Sequence, residues 1–140
     1  MAPAAPPISF SLERPVSPDE LRHLMRQAHW AAERTPEGLA SLLAATDVAV
    51  GAWEGDRLVG FARALSDGVY RALVDDVVVD EAWRGRGIGD ELVRRLLERL
   101  AGVETVFLRC GEDLVPYYER HGFEKARSVT MDHRKPRSSP

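Results

Sequence analysis

Arg84-Gly-Arg-Gly-Ile-Gly89 is the segment whose residue types and spacing best suit chemistry. It follows a strand-like run and opens a helical one, where backbone N–H groups and the positive end of a helix dipole together suit a phosphate. Glycines also serve simply to turn a chain, so the loop by itself is ambiguous. Two familiar phosphate loops can be tested against it. A dinucleotide fingerprint requires glycine at position 90, where this chain has Asp90, and a mononucleotide loop requires Lys followed by Ser or Thr; both fail. The arginines at 84 and 86 add charge suited to a pyrophosphate that carries a further ribose phosphate.

The elements that must position this loop follow from periodicity and punctuation. Residues 8–12 alternate at the strand period and end before Pro15. Ser17-Pro18-Asp19-Glu20 starts a helix with Leu21, Leu24, Met25 and Ala28 on one face, and Thr35-Pro36-Glu37 starts a second. Residues 48–53 and 58–62 read as strands joined at Glu54-Gly55-Asp56, and Ser66-Asp67-Gly68 turns the chain into a strand reaching Asp80. After the glycine loop, Ile88, Leu92, Leu96, Leu97 and Leu100 share one helical face. A strand over 103–108, a short helix over 114–121 ended by Gly122, and a last strand segment ending near Met131 complete the order. The expected fold class is α/β (α+β).

Composition bounds the possibilities. At 140 residues, with 44% of them hydrophobic, the chain can bury one core but not comfortably two. Residues 1–7 read as an extended lead-in, 8–134 as one domain, and 135–140 as a polar tail. A net charge of −3 argues against coating a nucleic acid. No apolar run approaches the roughly 20 residues that cross a bilayer, so no membrane partner is expected. The one cysteine, Cys110, excludes an internal disulfide and a multi-cysteine metal cage, which points to a reducing, cytoplasmic setting and no metal.

Arg or Gln, two residues, Gly, one residue, then Gly or Ala, after a strand and opening a helix, is the acetyl-CoA signature of the GCN5-related N-acetyltransferases (GNAT). Arg84 to Gly89 resembles it at every defined position, and Tyr118-Glu-Arg-His-Gly-Phe123 resembles the family's second motif. The resemblance implies a mixed sheet of six or seven strands flanked by about four helices, splayed at the strand that binds acetyl-CoA. It implies that the backbone of Val77, Val78 and Val79 pairs with the pantetheine arm. Gly85, Gly87, Ile88 and Gly89, with Arg84 and Arg86, would cradle the pyrophosphate. The resemblance makes Tyr118 the general acid that protonates the departing thiolate.

An ammonium cannot attack a thioester, so a base or water relay is also needed. Asp75 and Asp76 lie on the strand leading to Val77, on opposite faces if the strand is regular. Asp75, sharing its face with Val77 and Val79, is favoured as base; Asp76 is kept because glucosamine-phosphate acetyltransferases resemble this acidic pair. Cys110-Gly-Glu-Asp-Leu-Val-Pro-Tyr-Tyr118 is similar to a stretch of arylalkylamine acetyltransferases, whose histidine pair is here replaced by Leu73 and Asp75. The expected activity is acetyl transfer from acetyl-CoA to a primary amine of a small molecule. Alternatives are acetylation of a protein or peptide, and acyl-CoA binding without turnover.

Structural readings stand beside these. Tyr118 can serve simply by packing its ring, the aspartates as a solvated strand end, and Cys110 as a small buried hydrophobe. His29 and Trp30, at the end of the first helix, either line an acceptor pocket or pack. A homodimer through a sheet edge is a further expectation.

Overall fold

Ser17 starts the first helix because its hydroxyl accepts the Glu20 N–H at 3.2 Å while the Glu20 carboxylate accepts the Ser17 N–H at 3.0 Å. In the computed structural model, which describes residues 7–136, this helix is α1, Pro18–Met25. Thr35 caps α2, Pro36–Ala45, in the same manner, its hydroxyl accepting the Gly38 N–H at 3.0 Å. The chain divides into two compact units, one ending at Arg109 and the other beginning at Cys110.

The first unit is built on a five-stranded sheet whose spatial order is its chain order: β1 Ser9–Ser11, β2 Val48–Glu54, β3 Arg57–Ser66, β4 Arg71–Val79 and β5 Thr105–Leu108. The first three pairings are antiparallel, and β4–β5 is parallel. Tight turns at Gly55 and Gly68, both at positive φ, make the antiparallel hairpins, whereas β4 returns to β5 through a helix, which parallel pairing requires. The β3–β4 turn is fastened by Asp67, whose carboxylate accepts the N–H groups of Val69, Tyr70 and Arg71.

Opposite faces of the sheet carry different helices. Leu21, Leu24, Met25 and Leu39 of α1 and α2 cluster with Trp53, Leu58, Phe61 and Val78. Helix α3, Ile88–Arg99, covers the other face with Ile88, Leu92, Val93 and Leu96 buried. It can approach β3 closely because position 60 is glycine: a Cβ there would meet Leu92 Cδ1 at 3.0 Å and Ile88 Cγ2 at 3.1 Å. In the second unit a 3-10 turn over Glu112–Leu114 leads into α4, Val115–Glu119, and Gly122 at φ +89° ends it.

The sequence expectations need four corrections. Strand β3 runs through Ser66 rather than stopping at 62. Helix α1 ends at Met25, so His29 and Trp30 lie in the α1–α2 connection, where successive three-residue turns bond Gln27 to Leu24, Ala28 to Met25 and Ala31 to Ala28. Residues 124–136 form no strand; Val129 and Met131 stand exposed, and the charged run from Glu124 to Arg127 supplies no apolar face to bury. The sheet among the described residues therefore has five strands rather than six or seven. Of the expected lead-in and tail, residues 1–6 and 137–140 lie outside the described residues.

Candidate active site

Strand β4 is not regular where its two aspartates lie. Arg63 pairs with Asp75 and Phe61 with Val78, so one residue of β3 faces two of β4. Asp76 sits in this bulge at φ +52°, a left-handed conformation that Asp tolerates better than most side chains. Each bulge shifts the alternation of faces by one residue. Asp75 is therefore in line with Val78, not with Val77 and Val79, and the expectation that only one aspartate reaches a given side is corrected. Both carboxylates reach Arg63: Asp76 Oδ2 accepts from its Nε at 2.7 Å, and Asp75 Oδ2 from its Nη2 at 3.4 Å.

Asp76 is the more enclosed of the two. Its side chain is buried and accepts two further bonds, from Arg34 Nη1 at 2.9 Å and from the Trp30 indole Nε1 at 3.2 Å. Burial alone would push its carboxyl up, but the hydrogen bonds from Arg34 and Arg63 outweigh that and hold it below the ordinary carboxylate range. Such a group stays ionised and is a poor proton acceptor. The Asp75 side chain is 41% exposed and also accepts the Asp76 N–H at 2.9 Å. His29 stands edge-on to Trp30, with ring centroids 5.2 Å apart.

Beyond the aspartates, β4 has an open flank. Pairing with β5 covers only Arg71 to Val74, and among the described residues no strand lies beyond that point on the β5 side. Val77, Val78 and Val79 thus lie past the last β4–β5 pair. Asp80 follows, buried, its carboxylate accepting the Ala82 N–H at 3.0 Å and facing Gln27 and Arg57 at 3.4 Å each. Gln27 in turn accepts the Glu81 N–H at 2.7 Å. These bonds aim the 3-10 turn Glu81–Trp83 and hence the loop after it.

That loop puts Gly85 and Gly87 at φ +78° and +79°, a conformation that side chains resist. Gly87 is the N-cap of α3, whose first ladder bond runs from the Glu91 N–H to the Gly87 carbonyl at 3.2 Å. The first-turn amides of Ile88 and Gly89 precede that ladder, at the positive end of the dipole. The arginines are placed differently from each other. Arg84 Nε donates to the Val79 carbonyl at 3.2 Å, while the Arg86 guanidinium lies 4.7 Å from the centre of the Trp83 ring.

Tyr118 belongs to the second unit. Its carbonyl accepts the N–H groups of His121 and Phe123, and its ring meets Phe123 edge-on at 5.8 Å and Tyr117 at 4.9 Å, so the second motif is a folded aromatic knot. Cys110 is exposed rather than a buried hydrophobe. Partial burial of its sulfur, with the charges of Asp113 and Glu112, pushes its thiol up, away from nucleophilic character.

The first unit thus brings Asp75, Asp76 and Trp30 together at the bulge and sets Val77 to Val79 and the glycine loop in succession after it. Arg34, Arg63 and Asp80 were not anticipated. For Arg63 a signal existed: a lone cation inside the apolar run Leu58-Val-Gly-Phe-Ala-Arg-Ala64 has to meet a buried anion.

A stretch of 120 residues, 81% of this chain, is 31% identical to an uncharacterized N-acetyltransferase of Prochlorococcus marinus, of which it covers 66%. Over 75 residues the chain is 40% identical to a histone acetyltransferase of Glycine max, covering 51% of this chain and 32% of that protein. The chain spans less than two thirds of the length of these relatives. The crystal structure of a Deinococcus radiodurans R1 protein superposes with a TM-score of 0.79 at 34% identity, covering 94% of this chain and 93% of that one. Residues 11–123 match the acetyltransferase (GNAT) family, and the chain belongs to it.

Proposed function

We propose that the chain transfers an acetyl group from acetyl-CoA directly to a primary amine of a small molecule within a ternary complex. The observation that carries this reading is the open flank of β4 at Val77 to Val79 running into a left-handed glycine loop at a helix N-terminus. An extended pantetheine arm would take the unpaired flank as an added strand does. The pyrophosphate would then meet the amides of the loop and of the first turn of α3, with the Arg86 guanidinium at hand.

The chemistry asks for three proton transfers. The ammonium first gives a proton to Asp75, directly or through water, and the neutral nitrogen attacks the thioester carbonyl. The C–S bond breaks, the thiolate takes a proton from the Tyr118 hydroxyl, and the second proton of the nitrogen, lost as the amide forms, returns through water to the tyrosinate. Asp76, already held by two guanidiniums, keeps a structural charge instead. A small acceptor is supported by the compactness of the polar groups at the bulge, where one partly exposed carboxylate stands next in sequence to the aspartate that holds Trp30.

Thiol release from acetyl-CoA with a panel of polyamines, alkylamines, amino sugars and histone-type peptides tests the reading. Tyr118→Phe is expected to lower kcat by about a hundredfold or more, the scale of general acid catalysis, with CoA affinity retained. An unchanged rate across the pH range removes the acid role, and a preference for peptides removes the small acceptor.

A further inference from the structure

We infer that Asp76 is a positioning residue that fixes the ring of Trp30, and that the exposed face of this ring receives the apolar body of the acceptor amine while its ammonium lies at Asp75. The inference rests on the acetyltransferase reading above and specifies its acceptor side.

Trp30 lies in a connection rather than in a helix, and its indole is an anomaly there: a large apolar ring left 51% exposed. Exposed rings on connections ordinarily turn among rotamers, and ordering one costs entropy at the moment a ligand binds. Here the ring is fixed beforehand. Its Nε1–H is bonded to a carboxylate with no exposed side-chain surface, and that carboxylate is locked by Arg63 and Arg34 and by the left-handed bulge. His29 takes the ring edge-on. What remains for a partner is a preset apolar wall.

Charge decides what kind of molecule the wall serves. The cluster holds two cations, Arg34 and Arg63, and two anions, Asp75 and Asp76, so it has no net charge. Its members differ in exposure: Asp75 is 41% exposed and Arg34 31%, whereas Arg63 is 10% and Asp76 0%. The charge most open to a ligand is thus negative. An ammonium with a hydrocarbon body satisfies both Asp75 and Trp30, while an acceptor carrying a phosphate finds its nearest cations already bonded to carboxylates.

The test has a spectroscopic and a kinetic arm on the full chain. Among the indole Nε1–H resonances of the three tryptophans, the one absent from Trp30→Phe belongs to Trp30. In Asp76→Asn this resonance should move and its exchange with solvent quicken; an unchanged resonance overturns the tether. In the kinetic arm, Trp30→Ala should raise KM for n-hexylamine by about tenfold, the scale of one aromatic contact, while leaving KM for methylamine and for acetyl-CoA in place. Trp30→Phe, which keeps one aromatic ring but loses the indole donor and part of the apolar surface, should show a smaller rise than Trp30→Ala, and it serves if Asp76→Asn does not fold. An unchanged hexylamine KM, an equal rise for methylamine, or faster turnover of glucosamine 6-phosphate than of hexylamine overturns the inference alone. Absence of thiol release by the wild type with any amine removes the acetyltransferase reading and this inference together.

Discussion

Arg84 donates through Nε to the Val79 carbonyl at 3.2 Å, tying the first arginine of the glycine loop to the last residue of β4. The open strand flank and the glycine loop are therefore one frame rather than two features joined by a hinge. Asp80 and Gln27 brace the same frame from below, through the N–H groups of Ala82 and Glu81.

Loss of that tie should appear in the donor, not the acceptor. Arg84→Ala is expected to raise KM for acetyl-CoA by about tenfold, the worth of one charge-assisted hydrogen bond and its anchoring, with kcat at saturation little changed. Calorimetric titration with CoA checks it, and Arg84→Lys should not rescue, since an ammonium lacks the Nε donor that reaches Val79.

Gly87→Ala separates backbone geometry from space. Nothing lies within 4 Å of a Cβ placed there, yet φ is +79°. The substitution should cost about 1–2 kcal/mol through the left-handed conformation, or the cap should move and take the first-turn amides with it. Either outcome lowers CoA affinity, while thermal unfolding shows how the cost is shared.

Gly60→Val tests packing instead. A Cβ already stands 3.0 Å from Leu92 and 3.1 Å from Ile88, and added methyls must force α3 away from β3. We expect destabilisation of about 1–3 kcal/mol, typical of overpacking, read as a lowered urea midpoint. Because Ile88 opens α3, CoA affinity should fall as well.

The pH dependence of stability should carry the signature of Asp76 and Asp80. Burial pushes both carboxyls up, but the guanidiniums on Asp76, and the Ala82 N–H, Gln27 and Arg57 around Asp80, hold both below the ordinary range. Their folded values lie beneath the unfolded ones, so the unfolded chain binds protons first as pH falls. The stabilisation is complete above the ordinary carboxylate range and is lost as pH drops through the folded values. Melting temperatures between pH 7 and pH 3 should fall along this course, and Asp76→Asn should have a flatter profile. Equal slopes for the two proteins would show that Asp76 does not contribute.

The glycine loop, the capped helices and the hairpins were legible because each depends on residues near one another in the chain. Ser17 and Glu20, or Asp67 and the three amides it accepts, carry their partners within four positions. The bulge was not legible. It is a property of the β3–β4 register, and alternation read along β4 alone assigns Asp75 the wrong companions. The Asp76 cluster is non-local too, drawing Trp30 and Arg34 from a connection more than 40 residues away. The strand expected near Met131 shows the reverse case, since the local run from Glu124 to Arg127 is charged and brings no apolar face that a sheet could bury.

The flank of β4 has a consequence for the life of the protein as well as for its chemistry. A strand edge of three consecutive valines with no neighbouring strand, among the described residues, on its β5 side is what protein association through sheet edges feeds on. Few substitutions could blunt it, because a charge, a proline or a covering strand there would also shut out an extended ligand. On the proposed function the same edge has to be adhesive to one partner and indifferent to others, so an occupied flank would protect the chain from itself. Storage without ligand should then be harder on this protein than storage with it.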